Sequence, residues 1–365
     1  MASKSDNGRK PLPVIILTGF LGAGKTSLLN RLHAAGLLQR TAIIINEFGE
    51  VGLDRQLFGA TSDEVVELGN GCICCTVRGA LVDTLSDIAA RDVDKIVIET
   101  TGLADPGPVI QAIIGHPELS NRLHLEAVLT LIDLVNGEAA LAEFPEAQTQ
   151  AALADRILFT KSDIAHLTDA ATGRLCAAIS GTNPAVDFIV LTDETDLPSL
   201  LRKPAFTPSR EVVSHTDHCS HEHGPDGHDH AHDHHHADPR TAHSGISSLV
   251  LVHDTPLPIL AVETFCELLA SAYGSQVLRL KGIVAVAENP LPLVVHGVRG
   301  TFHEPEFLRQ WPDDDRSTRI VVILKGMDPE FVRRLFDGFA NRMASDTPDR
   351  TALMDNPLAI GGMKF

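Results

Sequence analysis

Val14-Ile15-Ile16-Leu17-Thr18-Gly19-Phe20-Leu21-Gly22-Ala23-Gly24-Lys25-Thr26-Ser27 decides the fold. It reads as an apolar strand, a glycine-rich turn and the opening of an amphipathic helix. Gly19 to Thr26 spells G-x-x-x-x-G-K-[ST] between that strand and that helix, the setting in which the motif has a mechanism. Glycines let backbone N–H groups curl around phosphate oxygens, and the helix N-terminus adds the positive end of its dipole. Lys25 would reach the β- and γ-phosphates, and the Thr26 hydroxyl would ligate Mg²⁺. The nucleotide-binding candidates are therefore Gly19, Gly22, Ala23, Gly24, Lys25, Thr26 and Ser27. The plainer reading, a chance glycine turn, leaves the flanking strand and helix unexplained.

Outward from this loop, short apolar runs alternate with helical stretches. The runs are Val14–Leu17, Ala42–Ile45, Lys95–Glu99, Ala127–Ile132, Arg156–Phe159 and Phe188–Leu191, with helices such as Ser27–Ala35 and Leu81–Arg91 between them. Continuous rather than alternating apolar runs mark strands covered on both faces. The fold class expected is α/β: a P-loop G domain with a doubly wound, mostly parallel sheet over 12–205. Residues 1–11 read as a disordered tail without a signal peptide's apolar region, and 206–245 as a flexible linker. Residues 246–344 read as a smaller α+β domain and 345–365 as a loose tail. In that second domain the expected strands are Ser248–Val252, Val277–Leu280, Ile283–Ala287, Leu293–Val298 and Arg319–Leu324, with helices over Ile259–Tyr273 and Asp328–Arg342.

Two strand ends carry further chemistry. Thr160-Lys161-Ser162-Asp163 resembles the guanine-reading N/T-K-x-D motif of G proteins. A carboxylate at Asp163 can accept from guanine N1–H and the N2 amine, a pattern adenine does not offer. Lys161 would lay its stem along the base, and Thr160 stands where many GTPases have Asn. Glu99-Thr100-Thr101-Gly102 matches the D-x-x-G switch in position, with Glu for Asp. Gly102 N–H would sense the γ-phosphate, and Glu99 would act on Mg²⁺ through water; the catalytic candidates are Lys25, Thr26, Glu99 and Gly102. The plainer readings are a surface strand-end turn and a helix-capping Thr pair. No arginine finger or catalytic Gln is identifiable, so slow intrinsic hydrolysis is expected.

Three of the six cysteines, Cys72, Cys74 and Cys75, fall within four residues; Cys176, Cys219 and Cys266 are isolated. This is no secreted disulfide framework. Thiolates select zinc, copper(I) or iron–sulfur iron over magnesium or calcium. No second compact Cys/His pair follows in the folded parts, so an open site suited to transfer is suggested. Cys72 and Cys75 also spell C-x-x-C, which leaves a redox reading open, as is inert burial. The segment 215–243 holds eleven of the eighteen histidines, among them His228, His230, His232 and His234, interleaved with six acidic residues. Such a segment binds several borderline ions loosely or is merely a solvated linker.

Net charge is −18, which excludes a basic stripe for nucleic acid, and no apolar stretch is long enough to span a bilayer. A cytoplasmic protein is expected.

In this order the pieces resemble the CobW-type P-loop GTPases, relatives of the nickel chaperones UreG and HypB. The resemblance rests on Gly19–Ser27, Asn46–Asp54, Gly71–Cys75, Glu99–Gly107 and Thr160–Asp163, and continues through Leu278–Gly282 and Ser317–Ile320. It implies a GTPase with a CobW-like C-terminal domain that serves a metalloenzyme, with Asn46–Asp54 as the first switch. It also implies further metal contacts, for which Glu47 and His116 are the candidates. Each has a plainer reading: a switch carboxylate near Mg²⁺ for Glu47, a helix C-terminal cap before Pro117 for His116.

The function expected is a GTP-hydrolysing metallochaperone. It would hold Zn²⁺, or Co²⁺, at Cys72, Cys74 and Cys75, gated by GTP or GDP, and deliver it to a client metalloprotein, with a homodimer as one assembly open to it. A passive metal buffer with a vestigial nucleotide site is the alternative. An ATP-dependent small-molecule kinase would explain the P-loop but leave Asp163 and the cysteines without a role.

Overall fold

The computed structural model describes residues 10–45, 65–67, 78–164, 169–204, 206 and 245–342. The N-terminal part builds a seven-stranded sheet from β1 (Leu12–Gly19), β2 (Thr41–Ile45), β3 (Val65–Glu67), β4 (Lys95–Glu99), β5 (Leu123–Asp133), β6 (Arg156–Thr160) and β7 (Asp187–Val190). The order is β3-β2-β4-β1-β5-β6-β7, and every pairing is parallel. Helices α1 (Lys25–Ala34), α2 (Arg78–Ala89), α3 (Gly107–Gly115), α4 (Gly137–Glu143), α5 (Pro145–Ala152), α6 (Asp169–Thr182) and α7 (Leu197–Leu200) connect the strands.

The unbroken apolar runs have the expected cause. Along β1, Val14 and Ile16 pack with Leu85, Ile88, Ile110 and Ile113 of α2 and α3. Ile15 and Leu17 face the other way, onto Leu28, Leu29 and Leu32 of α1. Both faces are buried, so no polar alternation survives. β5 runs longer than its apolar stretch because Leu123 and His124 pair with Leu12 and Pro13 of β1.

The C-terminal part is an antiparallel sheet, β11-β10-β9-β13-β8, with β12 paired to β10. Its strands are β8 (Ile246–His253), β9 (Val277–Val286), β10 (Asn289–Val298), β11 (Thr301–Phe302), β12 (Glu306–Phe307) and β13 (Thr318–Lys325). Helices α8 (Ile259–Tyr273) and α9 (Pro329–Arg342) cover one face, through Phe265, Leu269, Val332 and Phe336. The opposite face does not meet solvent. Ile246, Val250, Val298, Val321 and Ile323 share one continuous core with α2 and α3. The two strands expected at Val277–Leu280 and Ile283–Ala287 are a single strand. Lys281 and Gly282 stay in the ladder opposite His296 and Val295, so Gly282 is not a turn.

Candidate functional site

Sheet register alone assembles the site. Leu17 pairs with Glu99 across β1 and β4, Gly19 with Leu131 across β1 and β5, and Asp133 with Thr160 across β5 and β6. The phosphate-loop, Glu-Thr-Thr-Gly and Thr-Lys-x-Asp segments therefore leave one carboxyl edge side by side. In doubly wound sheets ligands bind outside that edge, where neighbouring strands connect in opposite directions.

The loop has the backbone its spelling requires. Gly22 and Gly24 sit at φ of 72° and 93°, the left-handed region open to glycine, and Gly24 caps α1. The Lys25 ammonium donates to the Gly19 carbonyl at 2.9 Å and the Phe20 carbonyl at 3.3 Å, which holds it over the loop. The Thr26 hydroxyl lies 3.3 Å from Oε1 of Glu99, a carboxylate only 4% exposed. A hydroxyl and a carboxylate brought together beside a phosphate loop make a hard oxygen set that suits Mg²⁺.

Gly102 rests directly on the phosphate loop: a Cβ there would stand 2.8 Å from the Leu21 backbone nitrogen. Its carbonyl, and that of Ala104, accept from Nε2 of Gln150 on α5 at 3.1 and 2.9 Å. The Thr100 hydroxyl donates to that of Thr18 at 2.7 Å.

On the other flank, the Thr160 hydroxyl donates to the Ala23 carbonyl at 2.8 Å. Lys161 adopts φ of 58°, and its ammonium meets Oδ2 of Asp133 at 2.8 Å. Oδ1 of Asp133 accepts from the backbone N–H groups of Val135 and Asn136 at 2.8 and 2.6 Å. Burial would raise the Asp133 carboxyl, but Lys161 and Asn136 outweigh it and hold it below the usual carboxylate range. Asp163 is exposed just beyond the strand end, where it can meet a base edge.

Gln150 and Asp133 do not belong to the motifs read above. Asp133 was legible in principle as the only charged residue at the end of the run Leu129-Thr-Leu-Ile-Asp133. Gln150 had no signal, since its partners are backbone carbonyls 46 and 48 residues away.

His116 follows α3 and builds its exit. Its carbonyl accepts from Leu119 and Ser120 at 2.9 Å, and its Nδ1 faces the Glu118 N–H at 3.4 Å. That is the capping role weighed above. Glu47, Cys72, Cys74, Cys75, His228, His230, His232 and His234 lie outside the described residues. Among the described residues no group of three or more His, Cys, Asp or Glu could hold a metal, and no helix is long and apolar enough to cross a membrane. Cys266 stays apart from this chemistry: burial, with Glu263 and Glu267 nearby, pushes its thiol up to about 12.

Residues 13–190 match the family model for the CobW/HypB/UreG nucleotide-binding domain, and residues 246–340 match the cobalamin synthesis protein cobW C-terminal domain. The zinc chaperone YjiA of Escherichia coli is 34% identical over 334 residues, covering 90% of this chain and 98% of its own. The zinc chaperone CobW of Pseudomonas aeruginosa is 35% identical over 354 residues, covering 87% and 88%. The crystal structure of Zn(II)-bound YjiA GTPase from E. coli aligns with a TM-score of 0.63 at 28% identity, over 91% of this chain and 99% of that one. Sequence, register and likeness agree that this chain belongs to the CobW family of P-loop GTPases, with a CobW C-terminal domain in the same polypeptide.

Proposed function

We propose that this protein is a GTP-hydrolysing metallochaperone that holds Zn²⁺ as cargo at Cys72, Cys74 and Cys75 and releases it to a client metalloprotein according to nucleotide state. The observation that carries the nucleotide half is the shared edge: Thr26 beside Glu99, Gly102 on the loop, and Thr160 braced to Ala23. The backbone N–H groups of Gly22–Thr26 and the Lys25 ammonium would bind the phosphates. Asp163 would select guanine. Thr26 and Glu99 would hold Mg²⁺ directly or through water, and the bound ion would neutralise charge developing between the β- and γ-phosphates. Gly102 N–H would report the γ-phosphate, and its loss on hydrolysis would release the segment. No arginine finger is found among the described residues near the loop, so unassisted turnover should be slow.

Support for the metal half comes from the donor set and from chain connectivity. Three thiolates suit zinc, and Co²⁺ is the second choice. Cys72 follows Glu67, the last residue of β3, by five residues. A tether of five residues spans at most about 18 Å, so Cys72 can lie no farther than that from the carboxyl end of β3. The curated relatives named zinc chaperones support the same reading. Glu47 and His116 are carried as further ligand candidates, and the histidine-rich segment as a collecting arm.

The test is Zn²⁺ affinity by chelator competition, with no nucleotide, with GDP and with a non-hydrolysable GTP analogue. The protein would carry a Gly/Ser spacer in place of 215–243, and Cys74→Ala would serve as control. Nucleotide-dependent affinity that vanishes in Cys74→Ala is expected. Affinity indifferent to nucleotide would instead favour the metal-buffer reading, which the eleven clustered histidines motivate.

A further inference from the structure

We propose that Arg299, carried by the C-terminal sheet, is a positioning residue for GTP hydrolysis that acts through Asp105 to hold Gly102–Asp105 against the phosphate loop. The inference rests on the reading of Gly102 as the γ-phosphate sensor. Three observations converge on it.

The first is an ion pair between the two halves of the chain. Nη2 of Arg299 bonds Oδ2 of Asp105, while Oδ1 of the same carboxylate accepts from the Gly107 N–H at 2.8 Å. Asp105 thus caps the start of α3 and receives the guanidinium at once. Charge-assisted bonds of this kind are stronger than neutral ones.

The second is a fitted joint. Gly107, Gln111 and Gly115 fall four residues apart along α3, on one helix face. A Cβ on Gly107 would stand 2.7 Å from Nε of Arg299, and one on Gly115 would stand 2.2 Å from a methyl of Thr301. Between them, Nε2 of Gln111 donates to the Arg299 carbonyl at 3.0 Å and the Thr301 hydroxyl at 3.2 Å. The stripe admits the β10–β11 turn at contact distance and grips it at its middle.

The third is a local cost at Arg299. Arg299 and Gly300 have φ of 49° and 75°, the two central positions of a tight hairpin turn between Val298 and Thr301. Such turns favour Asn or Gly at the first position, and a side chain such as Arg is disfavoured there. Backbone strain of this kind persists where surrounding contacts over-determine it, and the contact here is Asp105.

Gly102–Asp105 is therefore held from two sides. Gln150 grips its carbonyls from within the nucleotide-binding part, and Arg299 grips its last side chain from the C-terminal sheet. Gly102 lies against Leu21 between these grips.

Steady-state GTP hydrolysis and fluorescent-nucleotide affinity would be measured on full-length parent, Arg299→Ala, Arg299→Lys and Asp105→Asn, below the melting point of each. Arg299→Ala should lower kcat about five- to tenfold with KM for GTP within about twofold, as expected when positioning rather than ground-state binding is lost. Arg299→Lys should recover most of that loss. Asp105→Asn, which keeps the α3 cap but not the charge, should lower kcat in the same sense, and it decides the matter if Arg299→Ala does not fold. A kcat within twofold of parent in Arg299→Ala and Asp105→Asn overturns the proposal, as does equal impairment of the Ala and Lys variants. A parent without GTP turnover would instead overturn the GTPase reading.

Discussion

The Thr160 hydroxyl donates 2.8 Å to the Ala23 carbonyl, so the end of β6 is tied to the middle of the glycine-rich loop. Thr160 is 8% exposed, and the bond crosses from β6 to the loop that follows β1. Where many GTPases place Asn, this chain makes the brace with a hydroxyl. Thr160→Val keeps the side-chain shape and removes the donor. A buried carbonyl left without its partner costs about 1–3 kcal/mol. GDP and GTP affinities should both fall about tenfold, read by fluorescent-nucleotide titration. Unchanged affinity for both would show that the brace does not hold the loop.

Asp163→Asn tests base recognition. In the proposed reading the carboxylate would accept from two guanine donors, whereas an Asn amide presents one donor and one acceptor. That pattern matches xanthine, which has a carbonyl where guanine has its amine. GTP affinity should fall by ~10² or more and XTP affinity should rise, since a site left with an unpaired polar group discriminates strongly. Competition among GTP, XTP and ATP reads this directly. A parent that prefers ATP would return the small-molecule kinase reading.

The glycine-rich loop was legible in the sequence because backbone geometry dictates its residues locally. Gly22 and Gly24 need positive φ, and an apolar strand must deliver them. The strands were legible because Val14 to Leu17 is buried on both faces, which removes ambiguity of face. Asp105, Gln150 and Arg299 act across sequence separations of 46 to 194 residues, and no local pattern encodes such partners. β3 was missed because Val65–Glu67 is three residues long, too short for a period to show. The continuity of β9 was missed because Lys281-Gly282 resembles a turn, whereas pairing on both edges keeps it extended.

Asp155 anchors the C-terminal sheet to the foot of β6. Oδ1 meets Arg279 at 2.6 Å and Lys281 at 2.7 Å, and Oδ2 accepts from the Val128 N–H at 2.9 Å. Burial opposes ionisation, but the two cations prevail and keep this carboxyl well below the usual carboxylate range. Asp155→Ala would strand two cations in a dry interface, which costs about 3–5 kcal/mol. Urea unfolding should show that loss. Arg279→Met with Lys281→Met in the Asp155→Ala background should restore much of it. A loss below 1 kcal/mol would mean that water reaches the cluster.

His296 lies opposite Lys281 on β10, half-buried, with Nε2 sealed from solvent and, among the described residues, without a hydrogen-bond partner. Burial, and then the cations Arg279, Lys281 and Lys203, push its pKa well below the ordinary histidine value; Asp155 opposes them without prevailing. The unfolded chain takes up this proton near pH 6.5, while the folded chain does not. Below that pH the unfolded state binds more protons, so folding stability falls with pH at a slope approaching about 1.4 kcal/mol per pH unit. The contribution is present above pH 6.5 and is lost as pH drops toward the depressed folded value. Asp155 has its own window, below the unfolded carboxylate pKa near 3.9, which lies outside the range from pH 7.5 to 5.5. Urea midpoints from pH 7.5 to 5.5 would be compared for parent and His296→Phe. Contributions common to parent and variant cancel in that comparison. The parent should lose about 1 kcal/mol more than the variant between pH 6.5 and 5.5. Parallel profiles would mean that His296 protonates within the fold and that its neighbours yield to admit the charge.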